Sequence, residues 1–190
     1  MAVPAPTLNE SQRGQTPSRA VEGSERELVR RAQRGDAEAF EGLFSLHWPR
    51  AYRAAWLVVH DATAAEDIAQ EAFIAALGAL ERFDRTRPFG PWLSRIVVNR
   101  AIDHARSRRL HAVPTERIAT TAPPAADGWS DEVVRALAQL PVDQRAVVVM
   151  RHALGYTPGE IAKSLGLPRG TVNSRLRRAL DRLGELLDGA

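Results

Sequence analysis

Apolar residues recur at spacings of three and four along most of this chain, which restricts it to amphipathic helices packed on one another. The pattern stops between Leu110 and Gly128, where Pro114, Pro123, Pro124 and Gly128 punctuate a run of small residues. A structureless loop of that length inside one compact domain is unusual. The expectation is therefore an all-α chain: a tail at 1–23, a four-helix bundle at 24–109, a linker at 110–129 and a smaller helical domain at 130–190. At 190 residues and 44% hydrophobic content, two small cores fit these segment lengths better than a single one. Fully extended, the linker reaches up to ~65 Å at ~3.4 Å per residue, so the halves can sit far apart on one partner.

Residues 1–23 are rich in Pro, Ser, Thr, Gln and Gly without periodicity, the composition of a segment that stays disordered. Ser24, with Glu27 three residues on, is placed to cap a first helix that Gly35 ends. Asp36 can cap the second, whose inward stripe is Phe40, Leu43, Phe44, Leu46, Tyr52, Ala55, Trp56 and Val59; Pro49 is expected to kink or split it. Thr63 and Glu66 read as a capping box for a third helix. That helix turns Ala65, Ile68 or Ala69, Ala72, Phe73, Ala76, Leu77 and Leu80 inward, leaving Asp67, Gln70, Glu71 and Ile74 as one exposed stripe.

Charge reverses sign here without a break in the helical pattern. Asp61, Glu66, Asp67, Glu71 and Glu81 are followed by Arg82, Arg85, Arg87, Arg95, Arg100, Arg106, Arg108 and Arg109, against which stand only Asp84 and Asp103. An acidic helix beside a basic one suggests two partners on neighbouring surfaces, a protein and a nucleic acid. The basic helix begins near Pro91 and runs to Arg109, with Trp92, Leu93, Ile96, Val97 and Ala101 inward and Arg95, Asn99, Ile102, Asp103 and Arg106 outward.

In the C-terminal part, Ser130 can cap a helix buried through Val133, Val134, Leu137 and Leu140, and Pro141 and Asp143 start the next. Thr157, Pro158 and Glu160 form a cap, a first-turn proline and a capping-box partner, opening a short helix that Gly166, Leu167 and Pro168 turn. A longer helix follows to about Leu187, held inward by Val172, Leu176, Ala179, Leu180 and Leu183, with Arg169, Thr171, Ser174, Arg175 and Arg178 outward. A capped short helix, a glycine turn and a longer arginine-bearing helix make a helix-turn-helix.

Other classes find little support. The chain has no cysteine, which removes disulfides, thiolate nucleophiles and sulfur-based zinc sites. His47, His60, His104, His111 and His152 show no i, i+4 ligand pair, and neither a Gly-rich phosphate loop nor a nucleophile elbow is present. His60 with Asp61, Glu66 and Asp67 is the densest group of potential ligands, explained more simply as an acidic helix start. A non-enzyme without metal or cofactor is expected. Without a leader pattern or an apolar run of about 18 residues, a cytoplasmic protein not inserted in a membrane is the default. The net charge is only +3, so the placement of the arginines carries more information than their sum.

Three stretches together resemble bacterial sigma factors of the extracytoplasmic-function group. They are Ala65-Glu66-Asp67-Ile68-Ala69-Gln70-Glu71-Ala72-Phe73, then Phe89-Gly90-Pro91-Trp92-Leu93-Ser94-Arg95-Ile96, then Gly170-Thr171-Val172-Asn173-Ser174-Arg175-Leu176. The resemblance runs from about Glu25 to Leu187. It implies that the acidic helix grips the clamp coiled coil of the largest subunit of core RNA polymerase through Asp67, Gln70 and Glu71, with Ile74 and Leu77 adding apolar area. It implies that the basic helix holds the minus-ten strand of promoter DNA, with Arg95, Asn99, Asp103 and Arg106 chosen on its outward side and Arg108 and Arg109 adding phosphate attraction, while the loop from Phe83 to Phe89 captures an unstacked base. Phe83, Phe89 and Trp92 are either stacking platforms or core, and core is favoured for Trp92. The last helix would read the minus-thirty-five element through Arg169, Thr171, Asn173, Ser174, Arg175 and Arg178; the family commonly carries lysine where this chain has Asn173. An anti-sigma factor is a further implied partner, and the free chain is expected to be monomeric.

A competing reading keeps the helix-turn-helix but makes the chain an ordinary transcriptional regulator, its N-terminal bundle a sensor or dimerisation unit. Such a regulator has no need of the Asp67, Gln70, Glu71 stripe.

Overall fold

The computed structural model describes residues 19–111 and 129–189. The expected tail, up to residue 18, and the expected linker, from residue 112 to 128, lie outside the described residues. Four helices form the first group: α1 (Arg19–Ala32), α2 (Ala37–Val59), α3 (Ala62–Ala79) and α4 (Phe89–His111), with a 3₁₀ turn at Leu80–Arg82. The second group holds α5 (Asp131–Ala138), α6 (Val142–Val148), a π-helical turn at Val149–Ala153, α7 (Pro158–Leu165) and α8 (Arg169–Asp188). No strand occurs among the described residues, and the Val147 to Val149 run is helical.

α2 is the axis of the first group and packs against α1, α3 and α4. Leu43, Ala55 and Leu57 are wholly buried along it. Asp36 caps it as expected, its carboxylate accepting from the Ala39 amide, while Pro49 sits inside the helix without ending it. α3 approaches α2 through Ala65, Ala69, Ala72 and Ala76, all without exposed surface, and short side chains permit that close packing. In the second group α8 packs on α5, α6 and α7, burying Val172, Leu176, Ala179 and Leu183. The Thr157–Glu160 capping box forms as the sequence suggests, and Gly166 ends α7 in the left-handed region at φ 63°.

Several expectations need correcting. α1 begins five residues before Ser24, which lies inside it, and Glu25 is buried. Asp61 rather than Thr63 caps α3, its carboxylate accepting from Ala64. Leu46, Leu77 and Leu180, placed inward by spacing, are 44%, 51% and 51−4=47% exposed respectively, since the neighbouring helices cover narrower arcs than the apolar stripes. Ile102, placed outward, is buried.

The two groups do not stand apart. α5 and α6 pack against α2, α6 packs against α4, and the apolar core is continuous across the seam.

Candidate functional site

On the outer face of α3, Asp67, Gln70, Glu71, Ile74 and Leu77 lie together and exposed. Ile74 is 71% exposed, the most solvent-accessible large apolar side chain described. Gln70 Nε2 donates to Glu66 at 3.4 Å, and Glu71 pairs at 2.7 Å with Arg100 of α4. Asp67 has no side-chain partner among the described residues. This is a polar rim around two exposed apolar residues, the composition of a docking surface.

α4 lies beside it. Arg95 and Asp103 are exposed. Arg108 pairs with Asp61, whose carboxyl is held below its usual range first by the Ala64 amide and then by that guanidinium. Asn99 and Arg106 are engaged by the other half of the molecule: Asn99 Nδ2 donates to the Ser164 carbonyl at 3.3 Å, and Arg106 bonds Asp143 at 2.7 Å. The side chain of Arg109 lies outside the described residues.

The loop entering α4 is shaped by Asp84, whose Oδ1 accepts from the Thr86 amide and hydroxyl at 3.0 and 2.7 Å. This turn holds Arg85 and Arg87 out in solvent. Phe83 and Phe89 are buried, and Trp92, half-buried, packs on both with ring centroids at 4.6 and 5.4 Å. The three rings thus form a core cluster under the loop.

On α8, Arg169, Asn173 and Arg178 are exposed, while Thr171 and Ser174 are half-buried. Ser174 Oγ donates to the Thr171 carbonyl at 3.0 Å, a bond within the helix. Arg175 turns toward the seam, 3.6 Å from Asp143. Asp143 therefore holds Arg106 from α4 and Arg175 from α8 at once.

The seam is fixed by residues whose role the sequence pattern did not reveal. Arg145 donates to Val58 O at 2.6 Å and to Ala138 O and Leu140 O at 2.8 Å, joining the end of α2 to the α5–α6 turn. No carboxylate faces it among the described residues, and burial pulls its guanidinium down to about 10. His60, in the left-handed region at φ 53°, sits beside it. Its Nε2 lies 3.2 Å from Val134 O, which can only accept, so that nitrogen carries the proton and Nδ1 accepts from Arg145 at 3.2 Å. Burial, and then the neighbouring guanidinium, lower His60 to about 4. Arg50 donates to Leu154 O at 2.8 Å, and the Tyr156 hydroxyl bonds Pro91 O; burial raises that hydroxyl to about 12. Only an arginine just ahead of an apolar run, as at Arg145, hinted at such bonds.

Residues 43–111 match the sigma-70 region 2 family and residues 130–183 match sigma-70 region 4. The ECF RNA polymerase sigma factor SigM of Mycobacterium tuberculosis is 37% identical over 168 residues, spanning 87% of this chain and 86% of the relative. Among solved structures, CnrH in complex with the cytosolic domain of CnrY aligns with a TM-score of 0.65 at 31% identity, over 87% of this chain and 98% of that one. RpoE of Bartonella quintana, in complex with the anti-sigma factor NepR, gives 0.67 at 26% identity, over 80% and 98%. These matches span both halves, as a sigma factor requires and as the competing regulator reading does not. The chain belongs to the extracytoplasmic-function sigma factors, the subunits that bind core RNA polymerase, recognise the minus-thirty-five and minus-ten promoter elements and promote initiation.

Proposed function

We propose a division of labour among the three surfaces. The α3 stripe of Asp67, Gln70, Glu71, Ile74 and Leu77 docks on the clamp coiled coil of the polymerase's largest subunit. Arg95, Asn99, Asp103, Arg106, Arg108 and Arg109 of α4 hold the opened minus-ten strand, the arginines tracking phosphates. Arg169, Thr171, Asn173, Ser174, Arg175 and Arg178 of α8 meet the major groove of the minus-thirty-five element, where an arginine fork suits guanine edges. Residues 24–109 and 130–190 act as the two working domains. The chain performs no chemistry itself; RNA synthesis belongs to the polymerase. It acts in the cytoplasm as a monomer until it joins polymerase, and an anti-sigma factor is its counterpart, as for the CnrH and RpoE chains.

The observation that carries this reading is the exposed Ile74 within its acidic rim on α3, directly beside the arginine-bearing α4. Run-off transcription with core polymerase on a genomic promoter library tests it. Wild type should initiate and Asp67→Ala/Gln70→Ala/Glu71→Ala should not. No initiation by wild type above core alone would sink the reading.

A further inference from the structure

A cavity of about 110 Å³ lies between α1 and the loop entering α4, lined by Glu25, Phe83, Arg85, Arg87, Pro88 and Phe89 among others. Glu25 is unusual there, a carboxylate from α1 that is only 8% exposed. Its Oε1 accepts from the Phe89 and Gly90 amides at 2.8 and 3.2 Å, satisfying two of the unpaired amides in the first turn of α4. His47 Nε2 stands 3.6 Å from the same oxygen. Gly90 makes this packing possible, because a Cβ there would lie 3.0 Å from the imidazole Cε1. Burial pushes the Glu25 carboxyl up, but His47 and the two amides outweigh it and leave the group below its ordinary range. At neutral pH it is an ionised, acceptor-only group.

All three contacts fall on Oε1. Oε2 accepts no hydrogen bond among the described residues, in a side chain that lines the cavity. The space suits one six-membered ring, since closed cavities of ~150 Å³ admit benzene. Phe83 and Phe89 supply apolar lining, and Arg85 and Arg87 stand exposed at the same loop, where phosphates flanking an unstacked base would pass. A carboxylate oxygen accepts from the exocyclic amino group of cytosine and meets the O4 of thymine acceptor to acceptor.

We propose that Glu25 is a specificity-determining residue for the opened strand, its second oxygen admitting cytosine to this cavity in preference to thymine. The inference rests on the reading that α4 and its entry loop meet that strand. It assigns to α1, through Glu25, a base-reading role alongside its packing role.

Holoenzyme reconstituted from the full chain and core polymerase, presented with single-stranded DNA oligonucleotides randomised over a short stretch, tests it. Wild type should retain cytosine over thymine about tenfold at one position. E25Q, whose amide both donates and accepts, should bring that position near parity and leave preferences elsewhere unchanged. An unaltered preference in E25Q, or a weakening spread evenly over all positions, overturns the proposal. Independently of any variant, replacing the selected cytosine by a pyrimidine lacking the amino group should lose the same factor with wild type, and undiminished retention overturns it too. Wild-type holoenzyme that forms but shows no cytosine preference refutes the role of Glu25 alone. Failure of wild type to form holoenzyme refutes the underlying reading of the surfaces.

Discussion

Arg106 on α4 and Asp143 on α6 meet at 2.7 Å across the seam between the two helical groups, and the same carboxylate lies 3.6 Å from Arg175 on α8. Two arginines assigned to different promoter elements are thus neutralised by one acid. In this arrangement neither guanidinium is fully available to a phosphate.

Asp143→Asn should therefore raise the affinity of the free chain for DNA. The Arg106 pair is substantially exposed, so its release is worth ~0.2–1 kcal/mol, a gain of roughly 1.5- to 5-fold. Anisotropy of a labelled duplex checks this. Unchanged or weaker binding would show that the contact does not compete with DNA.

Arg145→Met should destabilise the fold. Met keeps the length of the stem but leaves Val58, Ala138 and Leu140 carbonyls without their donor. Buried groups left unpaired make a loss of about 2–4 kcal/mol the expected size. A urea midpoint equal to that of wild type would mean water replaces the guanidinium without penalty.

Acid should weaken the chain through His60. Its folded value of about 4 lies below the ordinary 6.5, so the unfolded state binds the proton more tightly. The neutral ring's contribution is fully present above pH ~6.5 and is lost as pH falls through about 4, amounting to up to ~3 kcal/mol. Carboxylates add their own acid dependence, so the comparison is with His60→Asn, which tolerates the left-handed backbone. Wild type should lose stability more steeply than the variant between pH 6.5 and 5 in urea titrations; parallel slopes would contradict the burial of His60.

Ile74→Ala separates binding from folding. A side chain 71% exposed should change stability by less than ~0.5 kcal/mol. Truncating an apolar anchor should nevertheless weaken association with core polymerase by about 5- to 30-fold, or ~1–2 kcal/mol. Equal affinity in a pull-down titration would move the docking surface elsewhere.

The features legible in the sequence are those fixed within one or two turns. Asp36, the Thr157–Glu160 box and Gly166 announce helix ends because their partners are three or four residues away. Asp61 and Thr63 are both competent caps, and spacing alone could not choose between them. Leu77 and Leu180 were misplaced because an apolar stripe does not state how wide an arc its neighbour covers. Arg145, His60 and Asp143 draw their significance from partners tens of residues distant, which no local pattern encodes. The three motif stretches revealed the surfaces, but not that the molecule's halves close over Asn99 and Arg106.

Arg145 reaches the N-terminal half through neutral oxygen and nitrogen atoms, whereas Arg106 reaches the C-terminal half through a charged carboxylate. Ionic strength screens the second kind of attachment far more than the first. Concentrated salt should consequently free Arg106 and Arg175 while α6 remains seated against α2, so that the seam yields in part before it parts.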